Sequence, residues 1–422
     1  MARELKQRES GMDASSHLPP DETSLRYEGW RIVAVCFLVA TFGWGLGFYG
    51  QSVYLAELQR LHGWQVSSIS AGTTFFYLFG ALIVVFVAEA MRSFGPRNCL
   101  IAGLLAMACA AVALGQVRTL WQLYLADALL AFGWAGTSLA MITTTVSLWF
   151  EQRRGMAISL ALNGASFGGI AGVPVLVFAI GHLGFAMTMT VVASVMVILV
   201  VPIVAFSVGR PPLQVGTARA APSSGRQIRT DALRDIGFLS IAIAFALVLF
   251  AQVGFIVHLI AFLDPMIGRP SAALALSLLT IMAMIGRVLF SAVIDRFDQR
   301  LASALSFLSQ ALALAIVINS RSGIVLIGAC IVYGFSVGNL ITLPSLIVQR
   351  EFDGRSFGVL ISLITAVTQV TYAFGPGVVG ALRDIYGSYA VPFYGCIALE
   401  LIAAALIMVR GPKRVSRTVG PG

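Results

Sequence analysis

Twelve apolar segments run along the chain, and each is long enough to cross a lipid bilayer as a helix. A spanning helix needs about 20 mainly apolar residues. The segments cover 30–55, 67–88, 98–114, 120–148, 155–180 and 185–208, and then 236–262, 271–294, 301–318, 323–348, 356–382 and 389–409. Because lipid offers no hydrogen bonds to exposed backbone, these runs predict an all-α membrane protein of about twelve transmembrane helices.

The composition leaves no room for a soluble module beside the spans. Of 422 residues, 58% are hydrophobic and 11% are charged. The net charge of +9 comes from basic residues scattered between apolar runs, which is a topology signal rather than a nucleic-acid surface. We therefore predict no enzyme, no nucleic-acid partner, and no metal or cofactor, since no catalytic or ligand cluster appears.

The polar stretches divide the chain into two halves. We predict a disordered tail at 1–29, a six-helix bundle at 30–208, a linker at 209–235, a second six-helix bundle at 236–410 and a tail at 411–422. Most of the 28 basic residues lie in the tails, the linker and the even-numbered loops. Positive loops stay in the cytosol, so both termini are predicted to be cytosolic in a multi-pass protein of the cell (inner) membrane.

The two halves resemble each other at their loops. The segment 94–97 after span two matches 295–300 after span eight, at an offset near 203 residues. The segment 151–157 after span four matches 353–358 after span ten, at an offset near 201. Such repeats are typical of transporters that work by alternating access, in which one bundle rocks against the other.

Three motifs carry a resemblance to a known family. They are Glu28-Gly29-Trp30 at the start of span one, the run 149–157 continuing to Leu160, Ala161 and Gly164, and the loop 291–300. Together they resemble the major facilitator superfamily, and within it the monocarboxylate-porter branch that also holds the oxalate:formate antiporter. The resemblance covers residues 28 to about 410. It implies the major facilitator fold of two six-helix pseudo-repeat bundles and secondary transport of a small organic anion.

The chain departs from that pattern at several positions. Arg92 and Ser93 stand where the superfamily has an aspartate and an arginine in the first gating loop, and Glu89 can replace them only in part. The lysine of span one falls near Gly50 or Gln51, and the aspartate of span eight falls at Ala283. The coupling ion, a proton or an exchanged anion, therefore stays open.

Arg287 lies inside the apolar run of span eight and matches the branch's arginine there. A membrane arginine is costly unless it meets water or an anion, and its planar guanidinium suits a carboxylate. We expect Arg287 to bind the substrate. The alternative is that it snorkels or pairs with an acid at the helix end.

Asp127 is an acid inside span four and is a candidate coupling residue. Its alternative role is structural, as a protonated carboxyl bonded to a neighbouring helix. Glu400, in span twelve, is expected to be structural.

Polar and aromatic side chains in the predicted spans offer hydrogen bonds to a solute in an apolar site. The preferred substrate-binding candidates are Tyr49, Asn163, Gln369 and Tyr372. Each of them also fits a packing role, because helices in membranes are joined by the same residue types.

The matching loops are predicted to form gates between the two halves. The candidate gating residues are Arg153, Arg154, Asp295, Arg296, Arg300 and Arg355. The expected partners are an organic anion substrate and membrane lipid, and the alternative is a carrier or efflux pump for a neutral or amphipathic compound.

Overall fold

Among the residues that the structure describes, twelve helical segments are long and apolar enough to cross a membrane, as the apolar runs predict. The computed structural model describes residues 22–24, 26–209, 224–353 and 356–410. Within these residues the first six spans are Glu28–His62, Val66–Val84, Val87–Gln116, Leu120–Ser147, Arg154–Leu183 and Phe185–Ser207. The second six are Ile236–Ile267, Arg269–Phe290, Gln299–Asn319, Gly323–Leu340, Phe357–Tyr386 and Ala390–Ile407. They are numbered one to twelve in chain order below, and they confirm the all-helical membrane fold.

The spans end on two sides of the molecule. The terminal end holds the start of span one and the end of span twelve, and the far end holds the odd-numbered loops. Four turns at the far end use a glycine with positive φ: Gly63 (65°), Gly184 (77°), Gly268 (77°) and Gly387 (68°). Glycine adopts this backbone without the penalty that a Cβ brings. Gly63 and Gly268 are 205 residues apart and Gly184 and Gly387 are 203 apart, so the repeat extends to the turns.

Helix boundaries differ from the sequence expectation in two places. The helix of span three begins at Val87 instead of 98 and is broken at Gly95 (φ 77°, ψ 159°), so a short helix at 87–94 precedes the main one. The segment predicted as a linker contains the helix Ser224–Ala232, while 210–223 lie outside the described residues. Tail residues 1–21 and 25, and the C-terminal tail 411–422, also lie outside them.

The two bundles meet from the far end to the middle of the molecule. Span one contacts span seven, where Ser52 Oγ accepts a hydrogen bond from Ile260 N (3.2 Å). Span two packs along the far-end half of span eleven, and span five packs on span eight. These contacts close the molecule at its far end.

Two carboxylates reinforce this closure, and we call them the far-end latch. Glu57, whose side chain is 1% exposed, pairs with Arg269 of the other half. Asp384 accepts a hydrogen bond from Ser67 N at the start of span two (2.7 Å). Each half therefore gives one carboxylate to a positive group of the other half, a guanidinium in one case and a helix N-terminus in the other.

Candidate functional site

Arg287 lies half-buried in the middle of the molecule, on the side of span eight that faces span ten. Its Nε donates a hydrogen bond to Gly338 O at 3.3 Å. Gly286 sets this geometry, because a Cβ there would come within 2.1 Å of Phe335 O and push the two spans apart. Among the described carboxylates none pairs with Arg287. The guanidinium therefore keeps donors for a further acceptor.

Tyr49 brings span one to the same place. It ends a π-helical segment, Gly45–Tyr49, and such segments recur at functional sites. Its hydroxyl interacts with the Thr280 side chain and lies within electrostatic reach of Arg287. A Cβ on Gly169 of span five would lie 2.8 Å from both Tyr49 and Thr280, so spans one, five and eight pack closely around this tyrosine.

A second pair of tyrosines joins the halves beside this group. The rings of Tyr77 in span two and Tyr372 in span eleven meet edge to face at 5.6 Å. Phe48 packs on both Tyr49 (5.0 Å) and Tyr77 (6.2 Å). The Tyr77 hydroxyl is buried with no hydrogen-bond partner among the described residues. We call Arg287, Thr280, Tyr49, Tyr77 and Tyr372 the central site.

The structure thus brings together three of the predicted substrate residues, Arg287, Tyr49 and Tyr372. Thr280 was missed, although it lies seven residues, or two helical turns, before Arg287 on one face of span eight. Asn163 and Gln369 are half-buried in spans five and eleven. Neither side chain makes a hydrogen bond to a described residue, so both amides are free to meet a solute.

Asp127 lies away from the central site, in the far-end half of span four. Its residue is 2% exposed, and a Cβ on Gly72 of span two would come within 2.5 Å of its Oδ2. It is within electrostatic reach of Tyr54 and Tyr124. This placement inside the first bundle fits a helix-packing role, and the coupling role stays a prediction.

The predicted gating residues fall into different surroundings. Arg153, Arg154 and Arg296 are exposed at the terminal end. The Asp295 side chain and all of Arg355 lie outside the described part of the chain. In the closure seen here the bundles meet at the other end, so a gating role for these loops stays a prediction.

Arg300 is 1% exposed and lies inside the second bundle instead of at a gate. Its Nε and Nη2 bind both oxygens of Glu351 at 2.7 Å. Nη1 also donates to the carbonyls of Ile407 (2.7 Å) and Val409 (2.8 Å), and Nη2 donates to that of Gly237 (3.0 Å). The side chain therefore joins spans seven, nine and twelve to the helix Leu343–Glu351 that follows span ten.

The predicted tail contributes an unexpected contact at the loop after span four. The Glu22 carboxylate accepts hydrogen bonds from the backbone N–H groups of Glu151 (2.6 Å), Gln152 (3.3 Å) and Arg153 (2.7 Å). Burial disfavours the ionised form, but these donors outweigh it and hold the pKa of Glu22 below its usual value. The end of the tail is thus attached to the first bundle.

Two further acids, Glu400 and Glu57, are buried inside the molecule. Glu400 is fully buried and accepts a hydrogen bond from Tyr333 Oη at 3.3 Å, in keeping with the structural role expected for it. Glu57 was not singled out, because an acid near a span end looks like any loop charge. Within the described residues no group of histidine, cysteine or acidic side chains could hold a metal ion.

Comparisons with known proteins agree with this architecture. A family model described as Major Facilitator Superfamily matches residues 33–358 and 264–421. MFS-type transporter pynF of Aspergillus niger is 28% identical over 388 residues, covering 88% of this chain and 84% of that protein. Monocarboxylate transporter 13 of Bos taurus is 26% identical over 321 residues, covering 75% and 74%.

Solved structures show a related fold. A bacterial homologue of the human lysosomal transporter Spinster, in an inward-facing and occupied conformation, superposes with a TM-score of 0.73 at 15% identity. The match covers 91% of this chain and 97% of that chain. At this identity the likeness concerns the fold alone.

Proposed function

Because the chain belongs to the major facilitator superfamily, we propose that it is a secondary transporter of a small, monocarboxylate-like organic anion. The anion binds in the central site between the two bundles, which then rock about it in alternating access. The protein lies in the cell (inner) membrane with both termini in the cytosol, so the far-end closure corresponds to an inward-facing state.

The observation that carries the proposal is the guanidinium of Arg287. It lies among apolar helices with a backbone carbonyl as its hydrogen-bond partner and without a described carboxylate beside it. A buried charge of this kind is stabilised by a counter-charge or by water. A carboxylate substrate supplies the counter-charge and two acceptor oxygens, and the tyrosines around it supply ring surface and hydroxyl donors.

A neutral or amphipathic substrate is the second candidate. The central site is rich in aromatic rings, and the positions where the branch has a lysine and an aspartate hold Gly50 or Gln51 and Ala283. In that case Arg287 is a solvated or packing residue. The coupling ion is a proton or an exchanged anion, and Asp127 remains the candidate proton carrier.

Transport by purified protein in liposomes separates the two candidates. A panel of labelled carboxylates and neutral analogues is tested with and without a pH gradient. Charged hydrogen bonds are worth roughly 1.5 to 3 kcal/mol, so Arg287→Ala should weaken binding of a carboxylate about tenfold or more. Arg287→Lys keeps the charge but loses the two-point geometry, and should fall between.

The matched control is Arg321→Ala, since Arg321 is exposed at the far end. This variant should bind and transport like the parent. If Arg287→Ala, at normal membrane abundance, binds the carboxylate as tightly as the parent, the organic-anion proposal fails and the neutral-compound carrier is favoured.

A further inference from the structure

Among the described residues, seven aromatic side chains form one continuous cluster within and beside the central site. Neighbouring ring centroids in this cluster lie 4.8 to 6.2 Å apart. Rings at such separations attract each other through their edges and faces. We call the cluster the aromatic wall, and its members are Trp44, Phe48 and Tyr49 of span one, Phe76 and Tyr77 of span two, Trp134 of span four and Tyr372 of span eleven.

Three buried rings hold the aromatic wall in place. Phe76 is 0% exposed, Tyr77 2% and Trp134 9%. Glycines of two spans fix the indole of Trp134, because a Cβ on Gly47 would lie 2.5 Å from it and one on Gly80 would lie 3.3 Å from it. The other four rings of the wall are half-buried. They therefore pack on a closely fitted inner layer and present the remainder of their surface to a neighbour.

The half-buried rings of span one face the space between the two bundles. Span one packs against spans two, four, five, six and seven, so other helices separate it from lipid. Trp44 and Phe48 lie four residues apart in the middle of this enclosed span, and both are half-buried. Because the bundles meet from the far end to the middle of the molecule, the space in front of these rings is reached from the terminal end.

The two halves of the molecule contribute different chemistry to this space. The matching turns after spans one and seven are 205 residues apart, and at that offset Trp44 and Phe48 correspond to the aliphatic Leu249 and Val253. The guanidinium of Arg287, in contrast, belongs to the second half. The first half thus supplies a flat aromatic surface, and the second half supplies the positive charge.

Tyr49 sets the distance between the aromatic surface and the charge. Its ring centroid lies 5.0 Å from that of Phe48. Its hydroxyl, at the other end of the side chain, interacts with Thr280 and lies within electrostatic reach of Arg287. The aromatic surface and the guanidinium are therefore separated by about the length of an aromatic side chain. A ligand that contacts both needs a flat apolar part with an anionic group at its end.

We propose that the transported anion is an aryl carboxylic acid, whose ring packs on Trp44 and Phe48 while its carboxylate binds Arg287. The inference rests on the proposed function for the carboxylate, and it adds the aromatic part of the substrate. Aromatic rings gain more from each other than from a saturated group of the same area. Trp44 and Phe48 are then the residues that select an aryl acid over a short aliphatic acid, which reaches the guanidinium alone.

Calorimetric titration of the purified protein with three acids tests the proposal. Phenylacetate carries an aromatic ring, cyclohexylacetate carries a saturated ring of similar size, and acetate carries no ring. The parent should bind phenylacetate about fivefold more tightly than cyclohexylacetate, because only the first ring has an aromatic face and edge. Acetate should bind about a hundredfold more weakly than phenylacetate, since it buries no ring.

Two variants in the aromatic wall locate the ring. Phe48→Leu and Trp44→Leu each replace an aromatic surface by an aliphatic one, and each should reduce the preference for phenylacetate over cyclohexylacetate to about twofold or less. Acetate binding should stay at the parental level in both variants. Phe178→Leu is the matched control, because Phe178 of span five is 68% exposed and lies outside the wall, and it should keep the parental preference.

The results separate this proposal from the one on which it rests. Arg287→Ala should weaken binding of all three acids, because each of them offers the same carboxylate. The aryl-acid proposal is overturned if the parent binds cyclohexylacetate as tightly as phenylacetate, or if Phe48→Leu and Trp44→Leu both keep the parental preference. If the parent binds none of the acids, or Arg287→Ala binds them all as tightly as the parent, the organic-anion proposal fails and the aryl-acid proposal fails with it.

Discussion

Arg97 and Arg300 occupy matching positions 203 residues apart, and their surroundings are opposite. Arg97 is exposed, while Arg300 is buried with a carboxylate and three backbone carbonyls around it. A guanidinium has five N–H donors in a fixed plane, so it can satisfy several acceptors at once and remain charged inside the protein. Both halves therefore have an arginine at this position. Arg97 is a solvated charge, whereas Arg300 is a buried side chain that joins several helices.

Replacing Arg300 should consequently destabilise the second bundle. Arg300→Ala leaves the carbonyls of Gly237, Ile407 and Val409 without their donor, and each buried acceptor left unsatisfied costs about 1–3 kcal/mol. Glu351, whose side chain is 32% exposed, stays partly solvated and adds less. We expect a lower thermal midpoint and lower membrane abundance, measured by fluorescence-detected size exclusion after heating. Arg97→Ala is the matched control and should behave like the parent. Equal effects of the two substitutions would refute the structural role of Arg300.

The sequence shows which polar residues lie inside apolar runs, but it does not show which of them contact each other. Arg287, Tyr49 and Tyr372 were found because a polar group in a span is conspicuous, and the structure places them in one site. Thr280 was missed, since a threonine hydroxyl can bond its own helix, as Thr280 does to Leu276 O at 2.9 Å, and so needs no further explanation. Glu57 was missed because its partner Arg269 lies 212 residues away, and one sequence does not report such contacts.

Among the elements, spans one and five approach each other backbone to backbone in the middle of the first bundle. A Cβ on Gly168 would lie 2.5 Å from Thr41 O and 2.7 Å from Gly45 N. Both spans are π-helical at this point, at Gly45–Tyr49 and Gly168–Gly172. Small residues allow this close packing in membranes, and here it sets the direction of Tyr49.

Filling this contact should separate the two spans and misplace Tyr49. We expect Gly168→Ala to lower stability by about 1–3 kcal/mol through overpacking and to lower transport further. Gly181→Ala in the same span is the control, because a Cβ there meets no atom within 4 Å. Thermal unfolding and liposome uptake of both variants provide the measurement. The packing argument is wrong if Gly168→Ala matches Gly181→Ala in both.

Helix boundaries were less predictable than helix number. The apolar period identified span three from residue 98 onward, because Arg92, Ser93 and Arg97 make the preceding turn look like a loop. The structure instead has an amphipathic helix there, with Val87, Ala90 and Phe94 of its apolar face lining a pocket between spans two, three and four. A hydropathy profile misses a short amphipathic helix next to a span, because the polar residues on its exposed face make the segment look like a loop.

At the scale of the whole molecule, the far-end latch couples the halves in both directions. Glu57 of the first half binds Arg269 of the second, and Asp384 of the second half caps span two of the first. Opening the far end breaks both contacts. Glu57 then keeps Arg60 and Arg269 keeps Asp264 as ion-pair partners within their own halves, while the N-terminus of span two loses its carboxylate acceptor. The latch therefore favours the state that is closed at the far end.

Weakening the latch should shift this equilibrium. Glu57→Gln or Asp384→Asn removes a charged hydrogen bond worth roughly 1.5–3 kcal/mol, so the population open at the far end should rise about tenfold or more. Distances between spin labels at positions 118 and 321, both exposed at the far end of opposite halves, report the populations.

Arg60→Gln serves as the comparison, because Arg60 contacts Glu57 within span one at 2.9 Å and makes no hydrogen bond to a described residue of the other half. Its distance distribution should stay near that of the parent. Unchanged distributions in both carboxylate variants would mean that the apolar contacts alone hold the far end closed.

The surroundings of Arg300 also bear on the order in which the protein is made. Its acceptors include the carbonyls of Ile407 and Val409, and these are synthesised more than one hundred residues after it. Until the last span emerges from the ribosome and inserts, the guanidinium lacks part of its final coordination and is best accommodated at the membrane surface. The second bundle can thus reach its final packing only after span twelve has inserted, and a nascent chain stalled before span twelve would present an unsatisfied arginine to the quality-control machinery.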